Sequence, residues 1–199
     1  MVTVTTSPLR TWLLWTVGFV VFPLAGLAGT AVVGRVDSPV AALVGGAVTG
    51  LVVGAGQTLA AWGRLAPRRW VPATTAGMSA GLLLGAVVVG YGTSLGDLAL
   101  MGALTGLVLG PAQALALPRG TRARWAWAAV LPALWALGWI ATTLGGIAVA
   151  EQFTVFGAYG ALAFSALSGL LLIRLLPGRP TADDTADDTA RPAPDAARA

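Results

Sequence analysis

Two similar stretches of sequence decide the fold: GAVTGLVVGAGQTLA at residues 46–60 and GALTGLVLGPAQALA at residues 102–116. Ten of their fifteen positions are identical, with the Thr and the Gln in register, which indicates a true internal repeat. Glycines four residues apart let helices approach closely in lipid, where close contact drives helix association. The repeat therefore predicts two equivalent membrane helices whose packing faces carry Gly46, Gly50, Gly54, Gly102, Gly106 and Gly110.

The composition of the whole chain indicates the same environment. Of 199 residues, 56% are hydrophobic and 10% are charged, whereas soluble domains carry about 25% charged residues. The chain has no Cys and no His, and all of its basic residues are Arg. Thiol chemistry, imidazole chemistry and Schiff-base formation are therefore excluded. We predict no enzymatic activity, no catalytic residue, no metal site and no cofactor.

Six apolar stretches are long enough to cross a bilayer, which takes about 20 residues. The predicted fold class is therefore an all-α, polytopic membrane protein, with Pro132 as a candidate kink in the long fifth span. The first span is long for a cleaved signal peptide, so we interpret it as a membrane helix. The predicted spans are 11–33, 39–62, 72–91, 98–117, 125–149 and 153–176.

These spans predict three regions of the chain. A short N-terminus, residues 1–10, precedes a six-helix membrane domain over residues 11–176. The remaining residues, 177–199, hold two Thr-Ala-Asp-Asp units followed by Pro and Ala. Such a polar segment has little apolar surface to bury, so we predict a disordered cytoplasmic tail.

Arginine is distributed unevenly between the two ends of the spans. Loops rich in Arg stay in the cytoplasm, so the bias predicts cytoplasmic N- and C-termini. Because the Arg residues are spread over loops between apolar spans, we interpret the pI of about 11.0 as a result of membrane topology. We therefore predict no nucleic acid as a partner. The Arg-only, Ala-rich composition is associated with GC-rich bacterial genomes, which favours a bacterial plasma (inner) membrane. One end carries Arg10, Arg64, Arg68, Arg69, Arg119, Arg122, Arg124 and Arg174, against Arg35 at the other.

The spacing of the repeat predicts a ring. Two spans separate the copies, so the copies run in the same direction and form a parallel repeat of helix hairpins. The sixth span also has small residues four positions apart, and its Ser168 falls near the position of the Gln. If three helix hairpins form a ring and the chain is cut within one of them, the first and sixth spans together make up that hairpin. The order of the spans agrees with this arrangement. We therefore predict a pseudo-threefold arrangement in which the first and sixth spans pack side by side. The small residues of the sixth span are Gly157, Ala161, Ser165 and Gly169.

This pattern resembles a group of uncharacterised bacterial multi-pass membrane proteins. Their repeated unit is a Gly-x-x-x-Gly-x-x-Gln helix, an Arg-rich turn and a second helix that opens near Trp. Here the matching openings are Arg10-Thr11-Trp12, Arg69-Trp70 and Arg124-Trp125. Thr58 and Ala114 stand where the group often has Trp after the Gln. The resemblance covers most of residues 10–176 and implies a shared topology.

Gln57, Gln113 and Ser168 are the candidate ligand-binding or pore-lining residues. The helical wheel puts both Gln side chains on the small-residue face, toward a neighbouring helix or the bundle interior. They would line a polar path or pocket, or they would join helices by interhelical hydrogen bonds. The same wheel led us to expect Val53 on the lipid-facing side.

Asp37, Asp97 and Glu151 are the only acids outside the tail, and each precedes an even-numbered span. They would form an outer ring of carboxylates that attracts cations, or they would interact with the positive N-terminal ends of those helices. We favour the second interpretation. The Ser38-Pro39 pair supports it, since it has the pattern of a helix cap followed by a first-position Pro.

No predicted span carries a charge suited to catalysis or ion coupling. The leading hypothesis is a non-enzymatic protein that scaffolds another membrane protein or binds a lipid-like ligand between its helices. The alternative is a small permease or channel subunit for a neutral solute. The predicted partners are therefore the lipid bilayer and either a membrane protein or a lipid-like molecule.

Overall fold

The computed structural model describes residues 7–121, 123–147, 149 and 153–176, and the regular elements among them are all helical. Six of these helical spans are long and apolar enough to cross a membrane, as predicted. The first span, Pro8–Val33, contains two α-helices joined by a 3₁₀ turn. The elements are α1 (Pro8–Val17), the 3₁₀ turn (Gly18–Val20), α2 (Val21–Val33), α3 (Pro39–Ala60), α4 (Pro67–Val88), α5 (Leu95–Ala116), α6 (Arg124–Leu144) and α7 (Ala158–Leu175).

Local sequence explains where several helices begin. Pro occupies the first position of α1, α3 and α4, where its missing N–H costs nothing and its fixed φ suits a helix. Ser38 caps α3 by accepting a hydrogen bond from the backbone of Ala41 at 3.3 Å. Residues 67–71 were assigned to a loop because of Arg68 and Arg69, but they form the first turn of α4. Long Arg side chains extend from a helix end to water, so charge alone did not mark the boundary.

The 3₁₀ turn in the first span has a local cause that the predicted span missed. Pro23 has no N–H to donate, and its ring crowds the carbonyl of the residue four positions earlier, Phe19. The helix tightens at Gly18–Val20 in response. Pro132, by contrast, lies within α6, and that helix continues across it.

The six spans close into a ring. Each span packs against its neighbours in chain order, and α7 returns to pack against α1. The indole Nε1 of Trp12 donates to the carbonyl of Ala166 at 2.9 Å across this closing contact. The predicted contact between the first and sixth spans is therefore present. The 120° superposition of the three even-numbered spans stays a prediction.

The repeat glycines lie where helix backbones touch. A Cβ on Gly50 would lie 2.8 Å from the carbonyl oxygen of Thr74 in α4, and one on Gly106 would lie 2.6 Å from that of Leu131 in α6. The expectation for Val53 was wrong, because its side chain is buried. Three residues at 100° each leave Val53 about 60° from Gly50 on the wheel, on the same face of the helix. Gly46 and Gly54 meet α4 in the same way, and Gly102 and Gly110 meet α6.

The connection between the last two helices differs most from the prediction. The predicted spans reached residue 149 and resumed at 153, whereas α6 ends at Leu144 and α7 begins at Ala158. Gly146 has a φ of +79°, a conformation that suits glycine and ends the helix. The described residues between Gly146 and α7 are non-helical, and Phe153–Gly157 are buried or partly buried. We call Phe153–Gly157 the plug.

The plug lies at positions where the other two repeat units are helical. By the alignment of the repeat, Gly46 and Gly102 correspond to Gly157. Gly46 and Gly102 each lie seven residues inside their helices, but Gly157 is the N-cap of α7. The third unit therefore lacks about two helical turns at this end. We call this end of the ring the plug end and the opposite end the Arg-rich end. Neighbouring helices are antiparallel, so the Arg-rich end collects Arg10, Arg64, Arg68, Arg69, Arg119, Arg124 and Arg174.

Candidate functional site inside the ring

Toward the Arg-rich end, two indoles bind the two repeat glutamines. The Nε1 of Trp70 donates to Gln57 Oε1 at 2.9 Å. The Nε1 of Trp127 donates to Gln113 Oε1 at 3.0 Å. In each case the Trp is 13 or 14 residues after its Gln, on the next helix of the same hairpin. Each pair thus joins the two helices of one hairpin by a buried hydrogen bond.

A third pair occurs at the closing contact of the ring. Trp15 on α1 donates from Nε1 to Ser168 Oγ on α7 at 3.0 Å. The partners are the first and last spans, so this pair has the place that the permuted third hairpin requires. We call these three Trp residues and their acceptors, Gln57, Gln113 and Ser168, the Trp–Gln layer.

The layer is continuous across the ring. Gln113 Nε2 donates to Gln57 Oε1 at 3.3 Å and to Thr74 Oγ1 at 3.0 Å. The ring of Trp127 meets Trp15 edge-on at 6.3 Å and Trp70 at 5.9 Å between centroids. Gln113 is fully buried and Gln57 is 7% exposed. The structure thus brings together all three predicted polar residues, and each accepts a hydrogen bond from a Trp N–H.

The Trp partners were only partly found from the sequence. The Arg–Trp openings predict Trp12, Trp70 and Trp125 at the starts of their helices, but Trp125 is 57% exposed. The residues that bind the polar acceptors are Trp15, Trp70 and Trp127. The distance from each Gln to a later Trp was the available signal, but it does not separate Trp125 from Trp127, which lie 12 and 14 residues after Gln113, against 13 residues from Gln57 to Trp70.

Toward the plug end, the interior is aromatic. Phe156 of the plug is fully buried and stacks on Phe22 with centroids 5.3 Å apart and planes 13° apart. Its ring also lies 4.9 Å from Trp135, 6.1 Å from Trp139 and 5.7 Å from Phe164. We call Phe22, Trp135, Trp139 and Phe164 the aromatic cage. The cage side chains come from α2, α6 and α7, and Phe156 fills the space among them.

Thr154 fixes the other side of the plug. Its Oγ1 lies 2.6 Å from Thr49 Oγ1 on α3 and accepts a hydrogen bond from it. Glycines make room for the plug: a Cβ on Gly29 or Gly45 would lie 2.6 Å from the Thr154 side chain. A Cβ on Gly138 would lie 2.6 Å from the Phe156 ring. The walls are therefore shaped to the plug side chains.

One polar group in the cage has no partner. The Nε1 of Trp135 is buried and makes no hydrogen bond among the described residues, and Thr16 Oγ1 elsewhere in the ring shares this state. Trp135 is 1% exposed. Buried indole N–H groups usually find an acceptor. The cage therefore contains a buried indole N–H, that of Trp135, without an acceptor among the described residues.

The outer ring of carboxylates includes a residue outside the described part of the chain, so it stays a prediction. Asp97 lies inside the first turn of α5, where its Oδ2 accepts hydrogen bonds from the backbone and the hydroxyl of Ser94. This is a capping box. Asp37 is exposed before α3, and Glu151 lies outside the described residues. Across the described ranges, no three His, Cys, Asp or Glu side chains group as metal ligands.

Comparison with protein-family models, with curated proteins and with solved structures gave no match. The resemblance to the group of repeated bacterial membrane proteins therefore rests on the motif alone and stays a prediction.

Proposed function

We propose that this protein is a non-enzymatic membrane protein that binds a lipid-like ligand inside the plug end of its helix ring. One observation carries the proposal. The plug end is closed by a short non-helical segment that fills an aromatic cage, whereas the rest of the ring is closed by helices. Non-helical backbone at membrane depth is tolerated only inside protein or beside a cavity, and it is frequent at transporter and binding sites.

The side chains of the ring interior support a binding role over catalysis. The chain has no His and no Cys. The buried polar side chains among the described residues are Thr, Ser and Gln, which lack the proton-transfer groups of a general acid or base. An apolar cage with one hydrogen-bond donor suits a ligand that is mostly apolar and carries one acceptor.

The filled interior argues against the permease alternative. Indoles and Gln side chains occupy the Trp–Gln layer across the ring, and the aromatic cage holds Phe156. Neutral-solute flux into proteoliposomes should therefore equal that of protein-free vesicles. A flux above that background, abolished by a bulky side chain in the ring, would revive the permease alternative.

Native mass spectrometry of the protein from mild detergent tests the proposed function. We expect one apolar adduct of defined mass that survives delipidation which removes bulk phospholipid. The matched control is Phe164→Ala, which removes one wall of the cage and should release the adduct. A spectrum with only exchangeable bulk phospholipid in both proteins would overturn the proposal.

A second candidate function is a scaffold for another membrane protein. The first span supports it, because 17% of its most apolar window is buried against at least 39% in the other spans. A photo-crosslinking side chain at Leu24, which is 59% exposed, should then give one discrete protein adduct. Leu115 is 56% exposed on α5 and serves as the control. Equal diffuse labelling at both positions would leave lipid as the only neighbour.

We also propose that the Arg-rich end lies in the cytoplasm of a bacterial inner membrane, with the plug end outside. A reporter that is active only in the cytoplasm should be active when fused after Arg124 and silent after Gly96. Activity after Gly96 would reverse this orientation.

A further inference from the structure

Phe156 occupies the cage in the manner of a bound ligand. Its ring is 0% exposed and nearly parallel to Phe22, with Trp135 and Trp139 against its other sides. The contact with Gly138 is so close that any side chain there would collide with the ring. The cage is therefore a slot for a flat six-membered ring.

A wall of the slot carries a hydrogen-bond donor that has no acceptor among the described residues. Trp135 Nε1 is buried and unpartnered, although its ring lies 4.9 Å from that of Phe156. A phenyl ring has no acceptor atom in its plane. A flat ring that carries a carbonyl oxygen would fill the same slot and accept this N–H.

The attachment of the plug allows exchange. The described plug residues, 153–157, are non-helical, so within them no ladder of helical hydrogen bonds holds the plug in place. The side-chain hydrogen bond that ties the plug to α3 is the Thr49–Thr154 contact. The remaining side-chain contacts given for the plug among the described residues are apolar or aromatic, and another apolar ring can replace them.

We propose that the aromatic cage is a binding site for a flat carbonyl-bearing ring of the quinone type, and that Phe156 occupies this site when the ligand is absent. This inference rests on the proposed function and names its ligand class. Binding withdraws Phe156 and breaks the Thr49–Thr154 hydrogen bond. The ligand ring then stacks on Phe22 and accepts the Trp135 N–H. The cage carries no charged side chain among the described residues, which suits a neutral ligand from the membrane.

A reversible lock tests the displacement of the plug. The chain has no native Cys, and the two Thr oxygens lie 2.6 Å apart, so Thr49→Cys/Thr154→Cys should form a disulfide without a large backbone shift. The probe is 2,3-dimethyl-1,4-naphthoquinone, which has no free quinone-ring carbon for a thiol to add to, with the protein in nanodiscs freed of reductant and empty nanodiscs subtracted. Equilibrium dialysis should show saturable binding to the wild type and the reduced variant. Oxidation should weaken binding at least tenfold.

A second variant tests the hydrogen bond. Trp135→Phe keeps an aromatic wall and removes the donor, so the Kd for the naphthoquinone should rise roughly 3- to 10-fold. The matched control is Trp62→Phe, which removes an indole that is 65% exposed and should leave the Kd unchanged. An unchanged Kd in Trp135→Phe would overturn the assigned role of this N–H.

The outcomes separate this inference from the proposed function. Equal naphthoquinone binding to the locked and reduced forms would overturn plug displacement. If the probe fails to bind but native mass spectrometry still finds an apolar adduct, the quinone-type class is wrong and the lipid-like ligand stands. If neither the probe nor an adduct is found, both proposals fall.

Discussion

The Trp–Gln layer and the plug end lie in the same ring and are built on different principles. In the Trp–Gln layer, three indole N–H groups each have an acceptor on the partner helix, and the repeat recurs in register. At the plug end the repeat breaks, a loop replaces about two turns of helix, and the indole N–H of Trp135 is left unpartnered. Local rules that hold throughout a structure specify its fold, and the places that break them are where function is expected. The Trp–Gln layer therefore follows the repeat, and the plug end, where we propose ligand exchange, departs from it.

Gly106→Leu should have the largest effect on both regions, because it separates the helices that carry them. A Cβ at this position would lie 2.6 Å from the Leu131 carbonyl oxygen and 2.7 Å from the Cα of Pro132. We expect a loss of about 3 kcal/mol or more, enough to prevent a monodisperse protein. Size-exclusion chromatography in detergent measures it, with Ala55→Leu on the exposed face of α3 as the control. Equal elution of both variants would contradict the packing role.

Phe156→Ala should act at the plug end by leaving a cavity in the cage. Removing a fully buried Phe side chain costs about 3–5 kcal/mol in soluble cores, and we expect about 3 kcal/mol here. Thermal unfolding in detergent should show the loss, and benzyl alcohol should restore part of it by filling the space. Phe153→Ala, in the same plug but partly exposed, should cost less. An equal effect of the two variants would show that the cage is not specific for residue 156.

Gln113→Leu should destabilise the Trp–Gln layer by less. It removes one acceptor and two donated hydrogen bonds, and it leaves Trp127 Nε1 unpartnered. Interhelical hydrogen bonds in membranes average about 0.6 kcal/mol, so the three together predict roughly 2 kcal/mol. Ligand binding at the plug end should be unchanged, which separates the two regions. A variant that is stable but fails to bind the naphthoquinone would show that the Trp–Gln layer and the plug end are coupled.

Ser168→Ala should have the smallest effect, because it removes the acceptor of Trp15 and one long hydrogen bond, 3.4 Å, donated to the Ser165 carbonyl. We expect about 0.6 kcal/mol. A double-mutant cycle with Trp15→Phe isolates this bond, and the coupling free energy should equal most of the single loss. A coupling near zero would mean that the third pair does not stabilise the ring, and the equivalence of the three hairpins would fail.

The sequence predicted the ring because its signals are periodic. Glycine spacing, Gln register and the Arg-rich ends all follow from a repeat, and the first and last spans meet as that repeat requires. The plug was missed because residues 153–157 are as apolar as the helices around them. Hydropathy measures burial, and it does not distinguish a buried loop from a buried helix. The unpartnered N–H of Trp135 depends on the positions of neighbouring side chains, and no pattern within one helix predicts it.

Ring closure also sets an order of events during synthesis. Trp12 and Trp15 donate to α7 residues that are 154 and 153 positions later in the chain. At about 5–20 residues per second, their acceptors reach the membrane about 10–30 s after the indoles do. Until then the first span holds two unsatisfied N–H groups and an open flank. A chain that is cut short before α7 keeps that flank, so membrane proteases and chaperones have a structural mark that separates unfinished chains from finished ones.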